Sequence, residues 1–227
     1  MVEIGAGLGS LTFALADAGA ARVVAVEFDR ALLPALRDAV GNRASVEVVA
    51  ADATKIAWPS LLDGDGWVCC GNLPYNAATD IVLDVLEHAP MTERIVVMVQ
   101  REVADRFTGS AGDEAYGPTT LRAVYRATVE IVRRVPPEVF WPRPSVASAV
   151  VRMQRRERPP VDADEATLWR VVDGAFAQRR KTMRAALRRL RADDPDGVLA
   201  AAGVSANARP EDVSLEGFAR IAEALVA

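Results

Sequence analysis

The chain has one histidine, His88, and two cysteines, Cys69 and Cys70, which are adjacent. His88 follows a helix-like segment and stands just before Pro90, so it reads as a helix-end residue rather than a catalyst. Consecutive cysteines on an apolar, strand-like run point to opposite faces, which excludes both a disulfide framework and a shared metal site. A histidine triad, a zinc centre or any other metal site is therefore not expected. No apolar run is long enough to span a bilayer and no signal peptide is evident, so the expectation is a cytoplasmic protein without a membrane partner. An excess of basic residues is also lacking: 27 Lys and Arg against 31 Asp and Glu give a net charge of −4. That argues against a surface basic all over but leaves room for a local nucleic-acid patch.

What is present is enough apolar material, 51% of 227 residues, for one good core with a small second domain attached. Met1 to Ile4 reads as a strand with no lead-in, which predicts further residues upstream, and Gly5-Ala6-Gly7-Leu8-Gly9 follows at once. Ser10 is placed to cap a helix with Leu11, Leu15 and Ala18 on one face, ended by Gly19. Strands are expected at 22–26, 45–49 and 67–70, with helices at 31–40 and 79–87. A fifth buried strand covers 94–99, a helical piece 100–107, a glycine-rich loop 109–117 and a helix 119–126. Strand-like stretches at 128–135 and 148–154 are joined by a loop holding Pro136, Pro137, Pro142 and Pro144, too short and proline-rich for a crossover helix. The two must pair antiparallel, which is not the usual dehydrogenase plan.

Arg155 to Pro160 reads as a charged, proline-bearing linker. Beyond it the strand signal stops, and Leu168, Val172, Ala175 and Phe176, like Phe218, Ile221, Ala222 and Leu225, fall at helical spacing. The division expected is an α/β domain over 1–156 and a small all-helical domain over 160–227. Trp169 and Phe176 are assigned to the helical core. Arg179, Arg180, Lys181, Arg184, Arg188, Arg189 and Arg191 are expected to cluster on a helix after Phe176. A run of this kind is either a solvated face or a contact to backbone phosphates.

The chemistry gathers at strand carboxyl ends, where open α/β sheets bind ligands. Gly5-x-Gly7-x-Gly9 lets a ligand lie against bare backbone, Glu27 can accept both hydroxyls of a ribose, and Asp52 can accept from an adenine amino group. Up to Glu27 a nicotinamide dinucleotide fits equally well. Gly71-Asn72-Leu73-Pro74-Tyr75-Asn76 leaves an apolar strand and exposes two acceptors, the Asn72 amide oxygen and the Leu73 carbonyl, because Pro74 has no N–H to donate. Tyr75 adds a flat face. The same residues also read as an ordinary strand-to-helix turn with a half-buried tyrosine. Taken with the glycines, the two carboxylates and the terminal hairpin, they point to S-adenosylmethionine.

The sequence resembles the small-subunit ribosomal RNA adenine N6-dimethyltransferases, relatives of the 23S rRNA resistance methyltransferases. The resemblance rests on EIGAGLGSLT at Glu3 to Thr12, VEFD at Val26 to Asp29, ADA at Ala51 to Ala53 and GNLPYN at Gly71 to Asn76. It continues through VQREVADRF at Val99 to Phe107, VPPEVFWPRPSVASAVVR at Val135 to Arg152, FAQRRKTMR at Phe176 to Arg184 and ARPEDVSLEGFARI at Ala208 to Ile221. GNLPYN with VPPEVFWPRP is specific, and FAQRRKT is similar to the housekeeping branch rather than the resistance branch.

The resemblance implies a class I methyltransferase, Rossmann-like sheet that ends in an antiparallel hairpin, with a helical rRNA-contacting domain. Gly5, Gly7, Glu27, Asp52, Ala53 and Asn72 would hold S-adenosylmethionine. Asn72, Leu73, Pro74 and Tyr75 would hold the target adenine, with Phe140 closing on its other face. Arg179, Arg180, Lys181, Arg184 and Arg188 would contact RNA. The implied partner is small-subunit rRNA within the 30S particle, met by a monomer. Family members begin some tens of residues earlier, which implies that this chain is truncated at its amino end. Ala6 stands where the family usually has proline, Ser145 where it has lysine, and Ala185 where it often has asparagine. A non-catalytic ribosome-assembly factor on the same fold is the alternative.

Overall fold

The computed structural model describes residues 1–190 and 192–226. Among these, seven strands form one sheet in the order β3-β2-β1-β4-β5-β7-β6. The strands are β1 (Val2–Ile4), β2 (Val23–Glu27), β3 (Val46–Ala50), β4 (Trp67–Asn72), β5 (Thr92–Gln100), β6 (Ala127–Val135) and β7 (Ser148–Arg155). β1 to β5 run parallel, and β7 lies antiparallel to both β5 and β6. The short, proline-rich connection allowed no other pairing of β6 with β7.

By its contacts the chain falls into two compact units, residues 1–104 with 127–155, and residues 105–126 with 156–227. The chain passes between the units at 155/156, and residues 105–126, expected within the first domain, group with the helical unit. Tyr116, Leu121 and Tyr125 supply the reason: all three join the same buried cluster as Leu168, Val172, Leu187 and Phe218. Helix α5 (Arg101–Thr108) passes across this division.

In the sheet unit, Val23 to Val26 and the odd-numbered positions Ile95, Val97 and Val99 are buried, as strands covered on both faces or on one face require. Cys69 and Cys70 are both buried, and burial, with Glu3 adding to it, pushes the Cys70 thiol up to about 12. Helices α1 (Ser10–Asp17), α2 (Leu33–Val40), α3 (Trp58–Leu61) and α4 (Ala78–His88) lie in the connections between the parallel strands. Ser10 does not cap α1. Gly9 takes the N-cap position with a left-handed backbone, φ 89°, which glycine adopts without a steric penalty. Nor is Leu11, Leu15, Ala18 the buried face; Thr12 is the buried residue of this helix.

Arg155 is not linker. It ends β7, and its guanidinium donates to the carbonyls of Thr92 (2.7 Å), Leu86 (2.9 Å), Ala89 (3.0 Å) and Val85 (3.1 Å). One planar fork thereby ties β7 to the last turn of α4 and to the start of β5. Arg155→Ala should lower the unfolding free energy by about 3 kcal/mol, since several part-buried acceptors lose a charged donor together, and Arg155→Lys should recover less than half of it. Denaturant unfolding of the three proteins checks both figures. Arg156 is likewise anchored, its N–H to the Arg126 carbonyl (2.9 Å) and its Nε to that of Val124 (3.1 Å).

The helical unit contains α6 (Pro118–Arg126), α7 (Glu165–Phe176), α8 (Met183–Arg189), α9 (Pro195–Ala201) and α10 (Leu215–Val226). Asp164, Thr182 and Asp194 cap α7, α8 and α9 through their side chains. Trp169 and Phe176 pack against the buried cluster, half-buried rather than central. The basic run is not on one helix. α7 stops at Phe176, residues 177–182 turn, and Thr182 starts α8.

Candidate active site

Strand order reverses between β1 and β4, which makes the crevice outside their carboxyl ends the switch point of the sheet. Glycine loop and asparagine turn therefore emerge side by side. A Cβ on Gly5 would stand 3.5 Å from the Asn72 carbonyl oxygen, and one on Gly71 only 2.3 Å from that of Ile4. Only a residue without a side chain lets β4 lie this close to β1.

A cavity of about 520 Å³, within the usual range for small-molecule sites, opens at this corner. Ile4, Gly5, Glu27, Asp52, Ala53 and Asn72 line it, together with Phe28, Thr54 and Ile81. Gly7 is not in its lining. Its N–H instead donates to Glu27 Oε2 (2.7 Å), while the Asp29 N–H donates to Oε1 (2.7 Å). A carboxylate has about four acceptor positions, so Glu27 fixes the loop and keeps capacity for a ligand's hydroxyls. Asp52 Oδ1 accepts from the Thr54 N–H (3.0 Å) and hydroxyl (2.7 Å), and Oδ2 lies 3.2 Å from Lys55 Nζ. These partners, Thr54 first, hold its carboxyl below the usual range and so keep it an acceptor.

Below the loop, Glu3 is 2% exposed and accepts from the Thr12 hydroxyl at 2.5 Å. Burial pushes the Glu3 carboxyl up; Thr12 opposes that and Glu27 adds to it. Its position in the strand Val2-Glu3-Ile4 was the available signal, a single charge among apolar residues. Phe28, 72% exposed at the cavity wall, gave no such signal, because only its place beside Glu27 matters.

A second cavity, about 350 Å³, is lined by Asn72, Leu73, Pro74, Tyr75, Phe140, Pro142 and Pro144. The hairpin explains how Phe140 arrives there. β6 runs with β5, Val135 and Gln100 both pair with Ser148, and the β6–β7 loop therefore leaves from the carboxyl rim. The Tyr75 hydroxyl lies 3.2 Å from Ser148 Oγ, which ties the ring to the start of β7. Asn72 and Pro74 line both cavities.

Two adjoining cavities thus share Asn72 and Pro74, one of them lined by the carboxylates Glu27 and Asp52 and the other by the aromatic residues Tyr75 and Phe140. Residues 1–226 match the family described as Ribosomal RNA adenine dimethylase. The chain belongs to this family. It is 43% identical over 234 residues to the Ribosomal RNA small subunit methyltransferase A of Streptomyces griseus, covering 98% of the chain and 78% of the relative. It is 42% identical to the same-named protein of Thermobifida fusca, covering 98% and 79%. Among solved structures, the 23S rRNA methyltransferase ErmE superposes with a TM-score of 0.73 at 30% identity, covering 100% of this chain and 90% of that one. A dimethyladenosine transferase from Plasmodium falciparum gives 0.81 at 21% identity, over 97% and 87%, a likeness of fold. As a ribosomal RNA adenine dimethylase the chain has the class I methyltransferase fold and takes S-adenosylmethionine as methyl donor. The larger cavity fits that donor: its size suits a nucleoside with an amino-acid tail, and its acceptors suit a ribose and an exocyclic amine.

The basic residues of the adenine dimethylase's helical unit are unequal. Arg179 pairs with Glu211 (2.7 Å) and donates to the Glu114 carbonyl (2.8 Å), and Arg184 pairs with Asp196 (2.6 Å). Arg180, Lys181 and Arg188 are exposed. Arg189 donates to the Gly174 carbonyl at 2.5 Å, and Arg191 lies outside the described residues.

Proposed function

We propose that this chain methylates N6 of two adjacent adenines near the 3′ end of small-subunit rRNA, within the 30S particle, during ribosome biogenesis in the cytoplasm, and does so as a monomer. The observation that carries the reading is that Asn72 belongs to both cavities. Glu27 takes the ribose and Asp52 the adenine amine of S-adenosylmethionine, with Gly5, Ala53 and Asn72 completing the wall and Gly7 holding Glu27 in place. When bound, S-adenosylmethionine supplies a methyl group on an already activated sulfonium. The chain's own residues present the nucleophile. An adenine N6 lone pair is delocalised into the ring, and hydrogen bonds from N6–H to the Asn72 amide oxygen and the Leu73 carbonyl favour a more pyramidal, more nucleophilic nitrogen. No strong base is required, so alignment and electrostatics dominate.

The target base must leave its stack, and Tyr75 and Phe140 take it between them. Tyr75→Ala should raise KM for 30S particles and lower transfer by roughly 10- to 100-fold, corresponding to about 1–3 kcal/mol per stacked base, with the cofactor Kd little changed. Tyr75→Ala methylating at the parental rate would refute the stacking role. In the helical unit, Arg180, Lys181 and Arg188 meet phosphates directly, while Arg184 exchanges a weak, solvent-exposed ion pair for them and Arg179 a part-buried one.

The deciding experiment incubates the chain with labelled S-adenosylmethionine and undermethylated 30S subunits and maps modified bases by primer extension. Label at two neighbouring adenines near the 3′ end is expected. Binding without label would establish the assembly-factor alternative instead.

A further inference from the structure

The loop that brings Phe140 to the smaller cavity carries a second large aromatic next to it. Trp58 is 0% exposed and Trp67 8%, yet Trp141 is 98% exposed. Leaving an indole in water forgoes the burial of one of the largest apolar side chains, so a fully exposed tryptophan on a short loop asks for an occupant. The loop is held in shape. A 3-10 turn over Pro137–Val139 has the Val139 N–H on the Pro136 carbonyl (3.4 Å) and the Phe140 N–H on that of Pro137 (3.2 Å). Pro142 and Pro144 then limit the backbone beyond. Phe140 lines the cavity, and the next residue faces solvent.

The surroundings choose the partner. Arg133 and Arg134, at the loop end of β6, are exposed, with Arg134 paired to Ala149 and Arg133 to Val150 across the ladder. Arg143, in the loop itself, is bonded to Glu138 across an exposed ion pair of the kind that a phosphate displaces readily. An exposed indole on a loop that carries one arginine and leaves a strand ending in two more has the elements that bind single-stranded nucleic acid, an aromatic face and positive charge.

We propose that Trp141 is a stacking platform for the nucleotide next to the adenine held between Tyr75 and Phe140, with Arg133 and Arg134 contacting the phosphates of the same strand. The proposal rests on the RNA reading of the smaller cavity and adds to it a second base site. Two neighbouring bases splayed onto consecutive aromatic residues would hold the strand open while one of them is modified.

The test compares the parental chain with Trp141→Ala, Trp141→Phe and the double variant Arg133→Ala/Arg134→Ala. Trp141→Ala should raise KM for 30S subunits about tenfold, while kcat and the calorimetric Kd for S-adenosylmethionine stay unchanged; Trp141→Phe should recover most of the loss. A short single-stranded RNA with two adjacent adenines should quench parental tryptophan fluorescence and leave that of Trp141→Phe unaltered. The double arginine variant should flatten the dependence of RNA binding on salt by about two in log–log slope. An unchanged KM for Trp141→Ala overturns the proposal. So does a raised KM without quenching by naked RNA, which would reassign the indole to a ribosomal-protein contact. Should the parental chain fail to methylate 30S subunits, the functional reading falls, and quenching by RNA alone then decides for or against Trp141.

Discussion

Asn72→Ala is expected to lower kcat for methyl transfer to 30S subunits by roughly 10²- to 10³-fold, the range seen when one preorganised polar group at a reacting centre is removed. Asn72 lines both cavities, and of the two residues that do, Asn72 and Pro74, it alone has a polar side chain. Truncation leaves the fold alone, because Asn72 is exposed at the end of β4 and its strand pairing with Met98 is made by backbone. Asn72→Asp keeps an acceptor oxygen in the same place and should retain more of the rate than Asn72→Ala. Single-turnover kinetics at saturating cofactor separates this from lost affinity, and equal rates for the two variants would remove the acceptor from the account.

Glu27→Ala should weaken S-adenosylmethionine binding by about 3 kcal/mol, roughly 150-fold in Kd, as titration calorimetry would read it. Two losses combine: the ribose acceptor disappears, and the N–H groups of Gly7 and Asp29 lose their shared partner. Glu27→Gln distinguishes them from a plain loss of charge. Each carboxylate oxygen receives a backbone N–H at 2.7 Å, and an amide must turn its NH₂ toward one of those donors. Glu27→Gln should therefore bind little better than Glu27→Ala. An amide variant with parental affinity would mean that the carboxylate's two loop contacts are incidental.

The order of strands and the two chemistry-bearing turns were readable because each follows an apolar run closed by glycine, proline or a carboxylate. The hairpin was readable from a loop that could not hold a helix. What escaped was set by contacts distant in sequence. Thr12 is buried because Glu3 is opposite it, a polar pair to which apolar periodicity is blind. Ser10 loses the cap because the backbone of Gly9 is left-handed there, a property of the loop rather than of serine. Arg155 looked like part of a charged linker, and only the end of α4 and the start of β5 explain its four carbonyl partners. Tyr116, Leu121 and Tyr125 draw their segment into the helical unit through residues more than forty positions away. In the site, the acceptors Glu27, Asp52 and Asn72 stood out singly, whereas Phe28 and the clamp of Gly7 on Glu27 needed coordinates.

A wall of two residues, Asn72 and Pro74, shared by two chambers gives their occupancies a route to thermodynamic linkage. Any displacement of Asn72 on filling one side alters the free energy of filling the other, and the factor by which donor changes acceptor affinity must equal the factor in reverse. Such communication would be reciprocal and would need no moving domain to carry it.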